Sequence, residues 1–143
     1  MKEALIHGTC VDINQKAVLI CGSPGFGKSS LALQLIDRGA TLVSDDQTIL
    51  TLEERRVVVS APLAFKGLME VRGVGICSFP CQGKAFLELC VDLCEEDQLE
   101  RLPKLAFAKH QGIKVPLLKL KRRDPLGAIK VELKLCSLGL KTL

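Results

Sequence analysis

Gly22-Ser23-Pro24-Gly25-Phe26-Gly27-Lys28-Ser29 satisfies the pattern G-x-x-x-x-G-K-[ST] at every fixed position. This is the P-loop pattern, and chemistry explains its spelling. A tight loop must turn several backbone N–H groups inward, which Gly25 and Gly27 permit by adopting dihedral angles closed to other residues. Lys28 adds a full positive charge, and the Ser29 hydroxyl can ligate Mg2+. The flanks supply the context that such a loop needs. The apolar run Ala17-Val18-Leu19-Ile20-Cys21 predicts a strand before it. After it, Leu31, Ala32, Leu33, Leu35 and Ile36 predict a buried helix from Ser29, stopping at Gly39 beyond Arg38. Gly22, Ser23, Pro24, Gly25, Phe26, Gly27, Lys28 and Ser29 are therefore the candidate nucleotide-binding residues. The pattern leaves the reaction open, because ATPases, GTPases and small-molecule kinases share it.

Outward from the loop, period-two patterns dominate. Alternation in Ala4–Ile13 and the run Ala17–Cys21 predict a hairpin about Asn14-Gln15-Lys16. Thr41-Leu42-Val43 predicts a short strand ending at Asp45-Asp46, and Thr48–Leu52 with Val57–Ala61 predicts a second hairpin tipped by Glu53-Glu54-Arg55-Arg56. In Ala85–Leu93 the residues Leu87, Leu89, Val91 and Leu93 alternate with Glu88, Cys90 and Asp92, the pattern of a half-buried strand. Val115–Leu120 reads as a strand, and Asp124-Pro125 as the start of a helix running to about Leu138. No repeat, low-complexity tract or linker interrupts this order. The expectation is one strand-rich α/β domain over residues 1–143.

Composition narrows the class. Of 143 residues, 48% are hydrophobic and 25% charged, near the globular average, which excludes a disordered or fibrous chain. The apolar runs fall far short of the roughly 20 residues that cross a bilayer, so no membrane span is expected. Met1-Lys2-Glu3-Ala4 does not open a secretory signal, which points to the cytoplasm. Seven cysteines, an odd number, then read as free thiols rather than a disulfide scaffold. Five Phe with no Tyr or Trp leave few rings to stack on bases, which speaks against nucleic acid as a partner. Charge is uneven: residues 1–103 carry 10 Lys/Arg against 14 Asp/Glu, and residues 104–143 carry 10 against 2. The basic last third is either a solvated face or a dock for an acidic partner.

Two clusters bear on chemistry beyond the loop. Asp45-Asp46, at a strand end, can divide labour, one carboxylate taking a proton from an attacking hydroxyl and the other holding metal-bound water. A metal-holding acid of a hydrolase, or a solvated turn, is the competing reading. Cys77-x3-Cys81 and Cys90-x3-Cys94 offer four thiolates, but the spacing is not that of a zinc knuckle. Residues four apart on one strand stand about 13 Å from each other, which favours buried thiols.

His7-Gly8, the loop Gly22–Ser29, Leu33-Gln34-Leu35-Ile36-Asp37-Arg38-Gly39, Leu42-Val43-Ser44-Asp45-Asp46 and Met69-Glu70-Val71-Arg72-Gly73-Val74-Gly75-Ile76 together resemble bacterial HPr kinase/phosphorylase in order and spacing. The likeness is strongest from His7 to Ile76 and weak after Cys94. It is similar to the catalytic domain alone, as in the short alphaproteobacterial forms. The fold it implies is the P-loop-containing HPr kinase C-terminal type, a strand-rich mixed sheet with a P-loop helix and a C-terminal helix. The implied reaction is Mg2+- and ATP-dependent phosphorylation of a serine on the phosphocarrier protein HPr, with phosphorolysis of phosphoserine-HPr by inorganic phosphate as a second activity, in a homo-oligomer that is a hexamer in the family.

By the same resemblance His7, Lys28, Asp45 and Arg101 are catalytic, Asp45 as proton acceptor, while Ser29 and Glu70 ligate the metal. Arg101 would steady the transferring phosphate. Pro24 stands where the family usually has Ser, and Ser30 where it has an acid. Lys119-Leu120-Lys121-Arg122-Arg123-Asp124-Pro125 replaces a basic, proline- and glycine-containing family segment, a departure that implies weak phosphorolysis. Two other readings stay open: a P-loop kinase of a small hydroxyl compound, and a nucleotide-binding regulatory module without transfer.

Overall fold

Eleven strands and two helices are laid out in the computed structural model, which describes residues 2–139. The strands are β1 (Ala4–His7), β2 (Thr9–Ile13), β3 (Lys16–Gly22), β4 (Thr41–Ser44), β5 (Gln47–Glu53), β6 (Arg56–Ser60), β7 (Leu68–Val71), β8 (Gly75–Ser78), β9 (Ala85–Cys94), β10 (Ala106–His110) and β11 (Ile113–Lys121). Helix α1 spans Lys28–Asp37 and α2 spans Gly127–Gly139. Nine strands share one sheet, in the order β1-β5-β6-β9-β3-β2-β4, with β11 on β9 and β10 beyond it; β7 and β8 form a separate hairpin.

Strands β3 and β9 run parallel at the centre, and β11 runs parallel on the other edge of β9. Central parallel strands are covered on both faces, which explains why Ala17–Cys21 reads as an unbroken apolar run. Val18 and Ile20 face the helices, together with Leu31, Ala32, Leu35, Val131 and Leu135. Ala17 and Leu19 face a second core with Cys10, Val43, Leu50, Val57 and Val59. Two cores on opposite faces of one pair of strands hold the molecule together.

Both hairpins form where the sequence places them. The first turns on Asn14 and Gln15 and the second on Glu54 and Arg55, all four with positive φ of 49–68°, which matches strand twist in two-residue loops. Ala4–Ile13, however, is two strands and not one. Gly8 breaks it, and β1 leaves β3 to pair with β5, His7 lying opposite Gln47. Gly8 has no room for a side chain, since a Cβ would sit 3.0 Å from the Ile20 carbonyl oxygen and 3.1 Å from Leu19 Cδ1.

Strand β9 also departs from simple alternation. Ala17 pairs with Leu87 but Val18 with Leu89, a bulge that turns Leu87 onto the same face as Cys90. Leu89, Val91 and Leu93 keep the helix face. The strand is therefore buried on both sides instead of half-exposed. Strand β10 and the β7–β8 hairpin lie in stretches to which the sequence reading assigned no strand. Helix α2 starts two residues after Pro125, with Asp124 accepting the Leu126 N–H at 2.8 Å and the Lys130 ammonium at 2.6 Å. No helix among the described residues is long and apolar enough to cross a membrane.

Candidate functional site

Strand direction gathers the site. Strand β4 is antiparallel to β2, and β2 to β3, so β4 points the same way as β3. Strands β9 and β11 share that direction. The C-terminal ends of β3, β4, β9 and β11 thus meet at one edge of the sheet, where ligands of open α/β sheets sit. They deliver Gly22, Ser44-Asp45-Asp46, Leu93 and Lys121-Arg122-Arg123 respectively. The N-terminal end of β2 brings Gly8 and Thr9 to the same edge.

A cleft of about 910 Å3 opens there. His7, Lys28, Ser29, Asp45 and Glu70 line it, with much of the glycine-rich loop. Arg72 and Arg123 line it as well. Arg101 does not; it lies exposed in the segment between β9 and β10. Of the residues singled out from sequence, the structure brings five ionisable or hydroxyl-bearing side chains together and leaves Arg101 apart.

The loop owes its shape to glycine at two kinds of position. Gly25 and Gly27 have φ of 84° and 94°. Gly22 is a close approach: a Cβ there would meet Leu93 Cβ at 3.0 Å and the Leu93 carbonyl oxygen at 3.1 Å. Gly27 caps α1 with no side-chain bond to the first-turn N–H groups, and no acidic residue stands in that turn. An uncapped helix start beside a lysine is a place for an anion. Lys28 Nζ donates to the Gly22 carbonyl at 2.7 Å, folded back across the loop that it serves.

Asp45 is tied to that helix start. Ser29 Oγ donates to Asp45 Oδ1 at 2.7 Å, and Thr9 Oγ1 donates to the same oxygen at 3.0 Å. The turn behind it is braced by backbone bonds, Gly8 N–H to the Asp46 carbonyl at 2.9 Å and Gln47 N–H to the Asp45 carbonyl at 2.7 Å. Asp46 carries the turn with φ of 68°, a conformation that Asp and Asn tolerate better than most residues.

The basic segment after β11 packs on the loop from the other side. Arg123 N–H donates to the Phe26 carbonyl at 3.3 Å. The Arg122 guanidinium lies 4.5 Å from the centre of the Phe26 ring and pairs with Glu95 at 3.2 Å. Arg123 thus stands in the cleft wall, while Arg122 lies against the loop through Phe26. Gly73 and Gly75 face open space, and their positive φ serves the β7–β8 turn.

The cysteines stay outside this chemistry. All seven are free. Burial pushes the Cys90 thiol up to about 12, with the neighbouring Cys21 and Asp92 charges adding to it, and burial raises Cys10 and Cys21 as well. Such thiols stay protonated and unreactive. Among the described residues no three His, Cys, Asp or Glu side chains are grouped to hold a metal by themselves.

The strand-rich mixed sheet with two helices matches a solved structure, that of the Hpr(Ser) kinase/phosphatase from Coxiella burnetii. The two superpose with a TM-score of 0.86 and 26% identity, covering 96% of this chain and 97% of that one. Residues 1–123 match the family described as HPr Serine kinase C-terminal domain, and the chain belongs to that family of enzymes. An HPr kinase/phosphorylase of Clostridium tetani is 42% identical over 78 residues, which are 54% of this chain and 26% of that protein. One of Latilactobacillus sakei is 46% identical over 72 residues, 50% of this chain and 23% of the relative. The chain spans about a quarter of the length of these curated relatives.

Proposed function

We propose that this chain is a protein-serine kinase that transfers the γ-phosphoryl group of ATP to a serine of HPr. One observation carries the reading: a single cleft holds the glycine-rich loop, Lys28, Ser29, Asp45, Glu70 and two arginines, with Ser29 hydrogen-bonded to Asp45. The loop would take the phosphates on its backbone N–H groups and the start of α1. Lys28 exchanges the Gly22 carbonyl for phosphate oxygen and offsets charge on the transferring group. Asp45 takes the proton of the attacking serine hydroxyl, and His7 shapes the same pocket.

The donor set suits Mg2+, since Ser29 and Glu70 line the cleft with hard oxygen ligands and Asp45 backs Ser29. Bound there, Mg2+ would neutralise charge on the triphosphate. Arg123 stands at the cleft wall where an anion arrives, which makes the basic segment part of the site and not only a solvated face. Arg101 belongs to the proposal as a residue delivered by a loop movement or by a second copy in a homo-oligomer, a hexamer by family likeness. The setting is the cytoplasm, the single domain spans residues 1–143, and phosphorolysis is weak relative to kinase activity.

Incubation with HPr from the same organism and Mg2+-ATP tests this by mass measurement. Addition of one phosphoryl group to a serine is expected. ATP consumption only with a small hydroxyl compound, or ATP binding with no turnover, would replace it with one of the two other readings.

A further inference from the structure

Three hydroxyls are fully buried around the Asp45-Asp46 turn: Thr9, Ser44 and Thr48. Two of them serve the main chain alone, Ser44 donating to the Gln47 carbonyl and Thr48 to the Gly8 carbonyl at 2.9 Å. Thr9 differs, because it reaches a side chain of the cleft. Its oxygen accepts the Asp46 N–H at 3.3 Å, and its one proton goes to Asp45 Oδ1 at 3.0 Å. A threonine hydroxyl has a single proton to give, so the backbone contact leaves the carboxylate as its acceptor. Oδ1 also receives Ser29 Oγ. Among the described residues Oδ2 takes no hydrogen bond, and it is the oxygen left for a substrate proton.

We infer that Thr9 is a positioning residue for Asp45, holding Oδ1 in place so that Oδ2 is presented to the cleft. The inference rests on the proposed role of Asp45 as base. Threonine and valine have nearly the same shape, and valine would suit a buried β2 position at least as well. Burying a hydroxyl there has a cost unless it is bonded, and here the bond goes to the proposed base. A base displaced from its line of attack loses rate without losing nucleotide, since among the described residues no hydrogen bond joins Thr9 to the loop Gly22–Ser29 and the two meet only through Asp45 Oδ1.

The test compares Thr9→Val, Thr9→Ser and Thr48→Val with the unmodified protein, reading kcat and KM for Mg2+-ATP in HPr phosphorylation. Thr9→Val is expected to lower kcat about 10- to 100-fold with KM for ATP within about twofold. Thr9→Ser keeps the unmodified kcat, and Thr48→Val lowers only thermal stability. Full kcat in Thr9→Val, or equal losses in both valine variants, overturns the inference. In parallel the Asp45 carboxyl carbon is followed by NMR, a readout that needs no HPr. It should shift in Thr9→Val and not in Thr9→Ser or Thr48→Val. If the unmodified protein leaves HPr untouched, the kinase reading fails, and an Asp45 signal unmoved in Thr9→Val separately refutes the Thr9 contact. Should Thr9→Val not fold, Thr9→Cys, with its weak donor, is judged by the same criteria.

Discussion

Asp45→Asn separates the carboxylate's chemistry from its structural work. In the native site Oδ1 accepts two hydroxyl protons, from Ser29 and Thr9, and an asparagine can keep its carbonyl oxygen in that place. What it loses is basicity. The expected result is a fall of at least about 100-fold in the rate of HPr phosphorylation, equivalent to about 2.7 kcal/mol of transition-state stabilisation, with ATP binding and melting temperature retained. Asp45→Ala should add a structural cost. Ser29 borders the open cleft and can turn its hydroxyl to water, but Thr9 is fully buried and would be left with an unpaired donor, about 1–3 kcal/mol. For a chain of this size that is a fall of roughly 2–10 °C in Tm. The companion Asp46→Asn should change little, because asparagine accepts the positive φ at that position. Stopped reactions with HPr and Mg2+-ATP, resolved by mass, give the rates, and scanning calorimetry gives the Tm. Harmless Asp45→Asn with damaging Asp46→Asn would refute the assignment of the base; equal Tm in the asparagine and alanine variants would refute the hydrogen-bond argument.

Lys28→Ala removes the ammonium that folds across the loop and should both weaken Mg2+-ATP binding in calorimetry and abolish transfer; unchanged turnover excludes the loop as a phosphate site. Arg122→Ala with Arg123→Ala should impair use of HPr if the basic segment docks it, and the stacking of Arg122 on Phe26 and the place of Arg123 in the cleft predict a raised KM for ATP as well, tested by varying each substrate in turn. Asp12 is buried with Oδ1 unpartnered among the described residues, and burial raises its pKa although the Gln15 N–H pulls the other way. The folded state therefore holds the proton more tightly than the unfolded one, so Asp12 favours folding most below the ordinary aspartate pKa and loses that contribution as pH rises through the raised folded value. Unfolding titrations in urea across that window should show this decline in the unmodified protein and not in Asp12→Asn; parallel curves would contradict it.

What could be read from sequence followed from contiguity. The loop and α1 are consecutive, so a motif and an apolar pattern suffice to place them, and the two hairpins announce themselves because a two-residue turn leaves no choice of register. Strand β10 was hidden because it is an edge strand whose Phe107 and Lys109 both face solvent, so no buried stripe marks it. The hairpin β7–β8 has only four residues in each strand and buries little beyond Met69. In β9 a one-residue bulge defeats alternation, an event that side-chain pattern alone does not record. The division of Ala4–Ile13 at Gly8 depends on contact with Ile20, a residue on another strand.

The site divides along the same line. Asp45 could be anticipated because it ends the first strand after α1, and Glu70 because family spelling surrounds it. Thr9 gave no signal: a threonine in a strand is ordinary, and its role exists only once β2 lies beside β4 and the turn beyond it. Arg123 is the more instructive case. Its segment lacks the family's proline- and glycine-containing spelling, and from sequence that absence stood for a missing function. The parallel pairing of β11 with β9 nevertheless carries Arg123 to the edge where β3 delivers the loop, and its backbone closes on Phe26. Placement of a cation at this cleft depends on strand direction and chain length more than on the residues that spell the connecting turn. Arg123 is held there with a positive φ of 54°, and its side chain lines the cleft.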